Sequence, residues 1–135
     1  LVYELGGKYL LEQRREEDLY KDVYTFPGGK VEPRDYRRKK GYLFGASFRE
    51  AKEEGSLIPK EIIPFVKFED VTRNGNHFIF HGIWVPKYYG VVLDNEENKR
   101  KWHWVPGSEV GLLVADTSTN SRVWKSYLLF RGLKY

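Results

Sequence analysis

An α+β fold, a sandwich of helices on sheet, follows from three features of this 135-residue sequence. Segments with strand and helix character come in the order strands, helix, strands, helix. "NGN" at Asn74–Asn76 separates two β-rich runs and is a strong hairpin signal. The stretch from Phe44 to Gly55 has an apolar arc at helical period. The 41% hydrophobic and 31% charged content is a globular balance. The length suits one domain, 1–135, with a sizeable core.

Taken in order, "KYLLEQRR" (Lys8 to Arg15) and "DVYTF" (Asp22 to Phe26) read as strands flanking a charged loop. A helix over Phe44 to Gly55 comes next. "EIIPFVKFEDVTR" (Glu61 to Arg73) is β-rich, with Pro64 near its start or on an edge. After the "NGN" turn, "HFIFHGIWV" (His77 to Val85) is the partner strand. "YYGVVL" (Tyr88 to Leu93) and "KWHWV" (Lys101 to Val105) read as further short strands. A helix follows Pro106. Another spans Ser118 to Phe130, with Val123, Tyr127 and Phe130 on one face.

Composition excludes several chemistries. With no cysteine there is no disulfide, no thiolate-ligated zinc and no cysteine nucleophile, which fits a cytoplasmic protein. No apolar run approaches the ~20 residues of a membrane span. The N-terminus turns charged within a few residues and does not read as a signal peptide. Methionine is absent even at position 1, so the sequence need not be the whole of its protein. The net charge of +4 and pI of about 9.2 suit a polyanionic ligand such as a nucleotide or RNA. "RDYRRKK" concentrates five bases between Arg34 and Lys40; alone, such a run is ordinarily a solvated loop.

At about 100° per residue, Phe44, Phe48, Ala51 and Gly55 fall on one arc of the helix and Glu50, Glu53 and Glu54 on the opposite one. Carboxylates at i, i+3, i+4 converge and repel one another. A solvated acidic face is the ordinary reading of "EAKEE" by itself. A hard divalent cation is the functional one, because Mg²⁺ takes oxygen ligands and shares them with substrate phosphate. The upstream "FPGG" favours the second: Gly28-Gly29 lets backbone approach a ligand closely just before the helix.

These residues resemble the box of the Nudix hydrolase family, G-x5-E-x7-R-E-U-x-E-E-x-G-U, where U is bulky and apolar. Gly29 stands at its start, and Arg49, Glu50, Glu53 and Glu54 match its core, with Ala51 at U. "FPGGKVEP", "YLLEQRR" and "LDNEENKRKWHWVPGSEVGLL" are similar to flanking segments, so the resemblance covers nearly the whole chain. Three departures stand out. Asp35 replaces the first Glu, thirteen residues instead of seven separate it from Arg49, and Ser56 replaces the box glycine. "YRRKKGYLFGASF" therefore carries a six-residue insertion.

The resemblance implies an α/β/α sandwich with a mixed central sheet. It also implies metal-dependent hydrolysis of a nucleoside diphosphate linked to another moiety, with Mg²⁺ or Mn²⁺. Glu50, Glu53 and Glu54 would hold the cation, with the Gly29 carbonyl as a further ligand. Arg49 would orient the carboxylates by ion pairing with Asp35 or Glu32. Glu96 or Glu97, in the loop before "KWHW", is the expected general base, with Glu54 the alternative. Gly28, Gly29 and Arg14 are assigned to substrate binding.

His77 and His81 share a strand face with no third ligand at a recognisable spacing, and read as ordinary strand residues. Tyr42, Phe44, Trp84, Tyr88 and Tyr89 could stack a base, but most aromatics must be core. The alternative to an enzyme is a Nudix-fold module that binds nucleotide or RNA without cleaving it. The expected partner is a small nucleotide-type substrate, with the basic insertion suited to the phosphates of an RNA end or dinucleotide. The family has both monomers and homodimers.

Overall fold

The computed structural model describes residues 1–16, 21–71, 74–94 and 100–135. Its centre is strand β2 (Lys8–Glu16). Strands β1 (Glu4–Leu5) and β3 (Lys21–Thr25) pair with one edge of β2, and β6 (Lys101–Pro106) with the other, all antiparallel. Strands β4 (Ile58–Val71) and β5 (His77–Tyr89) form a long antiparallel hairpin. A parallel bridge between Val2 and Trp84 ties hairpin to sheet: Val2 N–H donates to Ile83 C=O at 2.8 Å, and Val85 N–H to Val2 C=O at 3.0 Å. At the hairpin turn, Gly75 takes a positive φ of 79°, as the "NGN" signal requires. Pro64 is exposed and stands beside a register slip in the hairpin.

Alternation along β2 divides the interior in two. Tyr9 and Leu11 point into one core with Val105, with Val110 and Val114 from helix α2 (Gly107–Leu113) and the turn after it, and with Val123, Trp124 and Tyr127 of helix α3 (Ser118–Arg131). Leu10 points into the other, with Tyr3, Leu57, Ile83, Val85 and Trp102, against which Leu43 of helix α1 (Tyr42–Glu54) packs. A strand buried on both faces is what a three-layer α/β/α arrangement demands. Glu12 has the parity of Leu10, so it faces the α1 layer.

One expected strand is corrected, and two features of α1 come only from the structure. "YYGVVL" is not one strand: Tyr88 and Tyr89 end β5, Gly90 turns the chain at φ 98°, and 91–94 has no strand partner. That segment is instead pinned beside α1, where Leu93 N–H donates to Gly55 C=O at 3.0 Å and Trp102 Nε1–H to Leu93 C=O at 3.1 Å.

The phenylalanines of the apolar arc of α1 do not enter the core, although Ala51 on the same arc is buried. Phe44 and Phe48 stack on each other at 6.2 Å, with Lys40, Arg38 and Lys52 over their rings, and belong to neither core. The buried residues of α1 are Gly45, Ala46, Ser47, Arg49, Ala51 and Glu54. Small residues let the helix press close: a Cβ on Gly45 would overlap the Arg38 side chain.

Finally, Ser56 does not have to supply the helix stop. Gly55 takes the left-handed conformation (φ 71°). Ser56 N–H then donates to Ala51 C=O at 2.9 Å and Gly55 N–H to Lys52 C=O at 3.4 Å. Among the described residues no helix is long and apolar enough to cross a membrane.

Candidate active site

The site is built where α1 meets the glycine-rich turn. A 3-10 helix, Pro33–Arg37, follows "FPGG", and Gly41 N–H closes a turn onto Arg38 C=O at 3.1 Å before α1 begins. The insertion is taken up in this 3-10 end and turn. It leaves the pairing of Asp35 with Arg49 intact.

Arg49 is the organising group. Its side chain is only 7% exposed. Nε and Nη2 donate to Asp35 Oδ1 and Oδ2, each at 3.0 Å, a two-pronged pair that only guanidinium geometry provides. Nη2 also donates to Lys30 C=O at 2.7 Å. Nη1 donates to Glu50 Oε1 at 2.9 Å and Glu53 Oε2 at 3.3 Å, and lies 3.4 Å from Glu32 Oε1. Arg49 thus ties the turn, the 3-10 helix and two box carboxylates together; it is no surface salt bridge. Hydrogen bonds from Arg49 hold the Asp35 carboxyl below the usual carboxylate range, aided by the Glu32 N–H at 2.7 Å. The same bonds to Asp35 raise the Arg49 pKa.

Gly29 is where the turn comes closest to α1. A Cβ there would overlap the Glu50 carboxylate, whereas one on Gly28 would find nothing nearer than 3.9 Å. Glu53 is half exposed and also accepts from Arg34 Nη2 at 2.9 Å, and Arg34 Nε donates to Glu32 at 2.8 Å.

Glu54 lies in a different environment. It is 6% exposed and faces β2 and β6 instead of solvent. Burial, with Glu12 close by, pushes its carboxyl up to about 8. The side chain of Arg100 lies 3.2 Å from Glu12 Oε1 and 3.7 Å from Glu54 Oε2, near enough for ion pairing but not aligned for hydrogen bonds. Glu12 Oε1 and Glu54 Oε2 are consequently buried with no hydrogen-bond donor. Neither Glu12 nor Arg100 stands out in the sequence. The available signal was parity: Glu12 shares the face of Leu10 in a strand whose other inward residues are apolar.

The donor set suits a hard divalent cation: all oxygen, anionic, and partly unsatisfied. As the side chains stand, no three acidic or histidine groups among the described residues converge as a metal shell. Arg49 holds Glu50 and Glu53, while Glu54 lies between Glu50 and Glu12.

Of the other expected site residues, Arg14 lies exposed on β2, two positions beyond Glu12 on the same strand face. Glu96 and Glu97 lie outside the described residues; the positions flanking them, Asp94 and Arg100, bond to Trp102 N–H at 3.0 Å and pair with Glu12. His77 and His81 do not join the site: His81 sits opposite Lys67 on β4, and burial lowers its pKa. Trp84 and Tyr88 are packing residues, Trp84 beside the α2–α3 core and Tyr88 edge-on to Tyr3 at 5.4 Å. Tyr42 stacks on exposed Tyr36 at 4.9 Å.

A family model described as the NUDIX domain matches residues 1–127. The chain belongs to the Nudix family. It is 29% identical over 101 residues to the CTP pyrophosphohydrolase of Escherichia coli (strain K12), covering 75% of this chain and 70% of that one. The Nudix fold is shared with solved structures. The E. coli ORF135 protein has a TM-score of 0.72 at 20% identity, covering 96% of this chain and 86% of that one. A C. elegans Ap4A hydrolase has a TM-score of 0.61 at 16% identity, covering 93% and 87%. This chain is a Nudix-type hydrolase.

Proposed function

We propose that this Nudix protein hydrolyses, with Mg²⁺ or Mn²⁺, a nucleoside diphosphate linked to another moiety. The observation that carries the reading is the division of labour on α1. Arg49 holds Glu50 and Glu53 in place, while Glu54 keeps a buried oxygen with no donor. Glu50, Glu53, Glu54 and the Gly29 carbonyl are the assigned cation ligands. A bound cation would neutralise the phosphoryl oxygens and make water more acidic. Arg49 and Asp35 are positioning residues. Gly28 and Gly29 let the turn approach the diphosphate, and exposed Arg14 is assigned to the substrate.

Glu97 is assigned as general base, with Glu54 the alternative. Glu54 near pKa 8 holds its proton through neutral pH, so it can serve as base only once nearby positive charge releases that proton. The names of the relatives favour a nucleotide-type substrate. The insertion, with Arg37 and Lys39 exposed, is assigned to the phosphates of a longer one such as an RNA end.

Incubation of nucleoside triphosphates, dinucleotides, nucleotide sugars, coenzyme A and capped RNA, with products identified by mass spectrometry, tests this. At least one should be cleaved only with Mg²⁺ or Mn²⁺, and Glu53→Gln and Glu54→Gln should each lower that rate by orders of magnitude. An intact panel would favour the non-catalytic binding module.

A further inference from the structure

Glu12 is an unusual residue for its place. It lies on the central strand, paired across to Thr25 on one side and Trp102 on the other. Its face is otherwise built from Leu10, Trp102 and Ile83. It is 3% exposed, and Oε1 has no hydrogen-bond donor. A carboxylate there needs a strong compensating interaction. Glu54, at the end of α1, is the same kind of group, also buried and also with an oxygen lacking a donor. The cation between them is Arg100, itself 23% exposed and held at 3.2 Å and 3.7 Å without hydrogen-bond alignment. This contact contrasts with the well-aligned fork of Arg49 on Asp35 one turn away.

We propose that Glu12 is a further ligand of the divalent-cation site, completing it from the β2 side together with Glu54, and that Arg100 is the counter-ion the two carboxylates exchange for the metal. The assignment rests on the metal-dependent reading above and extends it, because Glu12 lies outside the box. One guanidinium between two carboxylates leaves a net negative charge, which a divalent cation removes, and Arg100 is released towards solvent, where a substrate phosphate can take it up.

The test uses Mn²⁺ itself, titrated into chelator-stripped protein and followed by electron paramagnetic resonance and thermal melting, without substrate. Glu12→Gln should weaken Mn²⁺ binding by about 10–100-fold. It should also raise the melting temperature of the metal-stripped protein at neutral pH, because one of two facing buried carboxylates is gone. Arg100→Gln should do the reverse. It should lower the metal-free melting temperature, tighten Mn²⁺ binding, and enlarge the gain in melting temperature that Mn²⁺ produces. Glu12→Asp keeps the charge but shortens the reach, and should weaken binding even if Glu12→Gln folds poorly.

If Glu12 only neutralises Arg100, Glu12→Gln destabilises the metal-free protein and binds Mn²⁺ like wild type; that result overturns the proposal. Glu53→Gln separates the two readings. Weakened Mn²⁺ binding in Glu53→Gln with unchanged binding in Glu12→Gln rejects the Glu12 assignment alone. Wild type that binds no Mn²⁺ at millimolar concentration rejects both.

Discussion

The middle of α1, at Arg49, and its C-terminal end, at Glu54, handle buried charge in opposite ways. Around Arg49 nearly every donor and acceptor is matched: five carboxylate or carbonyl oxygens accept its protons at 2.7–3.3 Å. Around Glu54, two carboxylates share one loosely held arginine and two buried oxygens have no donor. A matched network rigidifies; an unmatched one is high in energy until a ligand completes it. Under the proposed function, the matched network at Arg49 is scaffold and the unmatched one at Glu54 is where a ligand acts.

The largest effect should come from breaking the scaffold. Arg49→Gln leaves Asp35 buried without its partner and should cost about 3–5 kcal/mol of unfolding free energy in urea denaturation. Arg49→Lys should rescue little, because an ammonium cannot reproduce the fork. A variant of near wild-type stability would contradict the scaffold assignment.

Next comes the pH response, where the two regions have opposite signs. Glu54, facing Glu12, Glu50 and Arg100, has a folded-state pKa of about 8 against an ordinary 4.5, so the folded state binds its proton more tightly. Its contribution is therefore present below pH 4.5 and is lost as pH rises to about 8, on the order of a few kcal/mol in chelator-treated protein. Glu54→Gln should flatten that slope in urea melts between pH 5 and 8. Asp35, with its pKa lowered, contributes above the ordinary carboxylate range and loses its contribution as the pH falls into strong acid. Asp35→Asn should remove the acid limb and leave the Glu54 limb.

The two glycines offer a finer comparison. Gly29→Ala pushes a methyl into the Glu50 carboxylate and should lower kcat by about 10²-fold, the scale of an ångström misplacement, with little change in melting temperature. Gly28→Ala, whose Cβ meets nothing nearer than 3.9 Å, leaves Glu50 undisturbed and should lower kcat less than Gly29→Ala does. Equal effects would remove the steric account of Gly29. The smallest change belongs to Arg34→Ala. Its pairs with Glu32 and Glu53 are exposed on both sides, so stability should move by less than about 0.5 kcal/mol.

Much of the site was legible because it is local. Glu50, Glu53 and Glu54 lie on one helix with Arg49 a single step away, so their spacing named the charged groups, though their side chains do not converge as they stand. The hairpin was legible from "NGN" and the two long apolar runs beside it. The arc argument for α1 failed because periodicity reports which residues share a face, not which face is covered. Phe44 and Phe48 do share one, but the 3-10 turn and β4 crowd the small-residue side, and the rings are left to the cations of the insertion. "YYGVVL" failed because a strand needs an edge to pair with, and after Gly90 the chain follows the end of α1 instead.

By itself the sequence determined the class of fold, the Nudix box and the set of charges on α1, all of them consequences of helical and strand periods over a few residues. Tertiary structure alone decided which of those charges are buried. It brought Glu12 from the central strand and Arg100 from the start of β6 to Glu54. It also set Gly29 directly against the Glu50 carboxylate. Those contacts join segments distant in sequence, and desolvation depends on everything packed around a group, which no local spacing encodes.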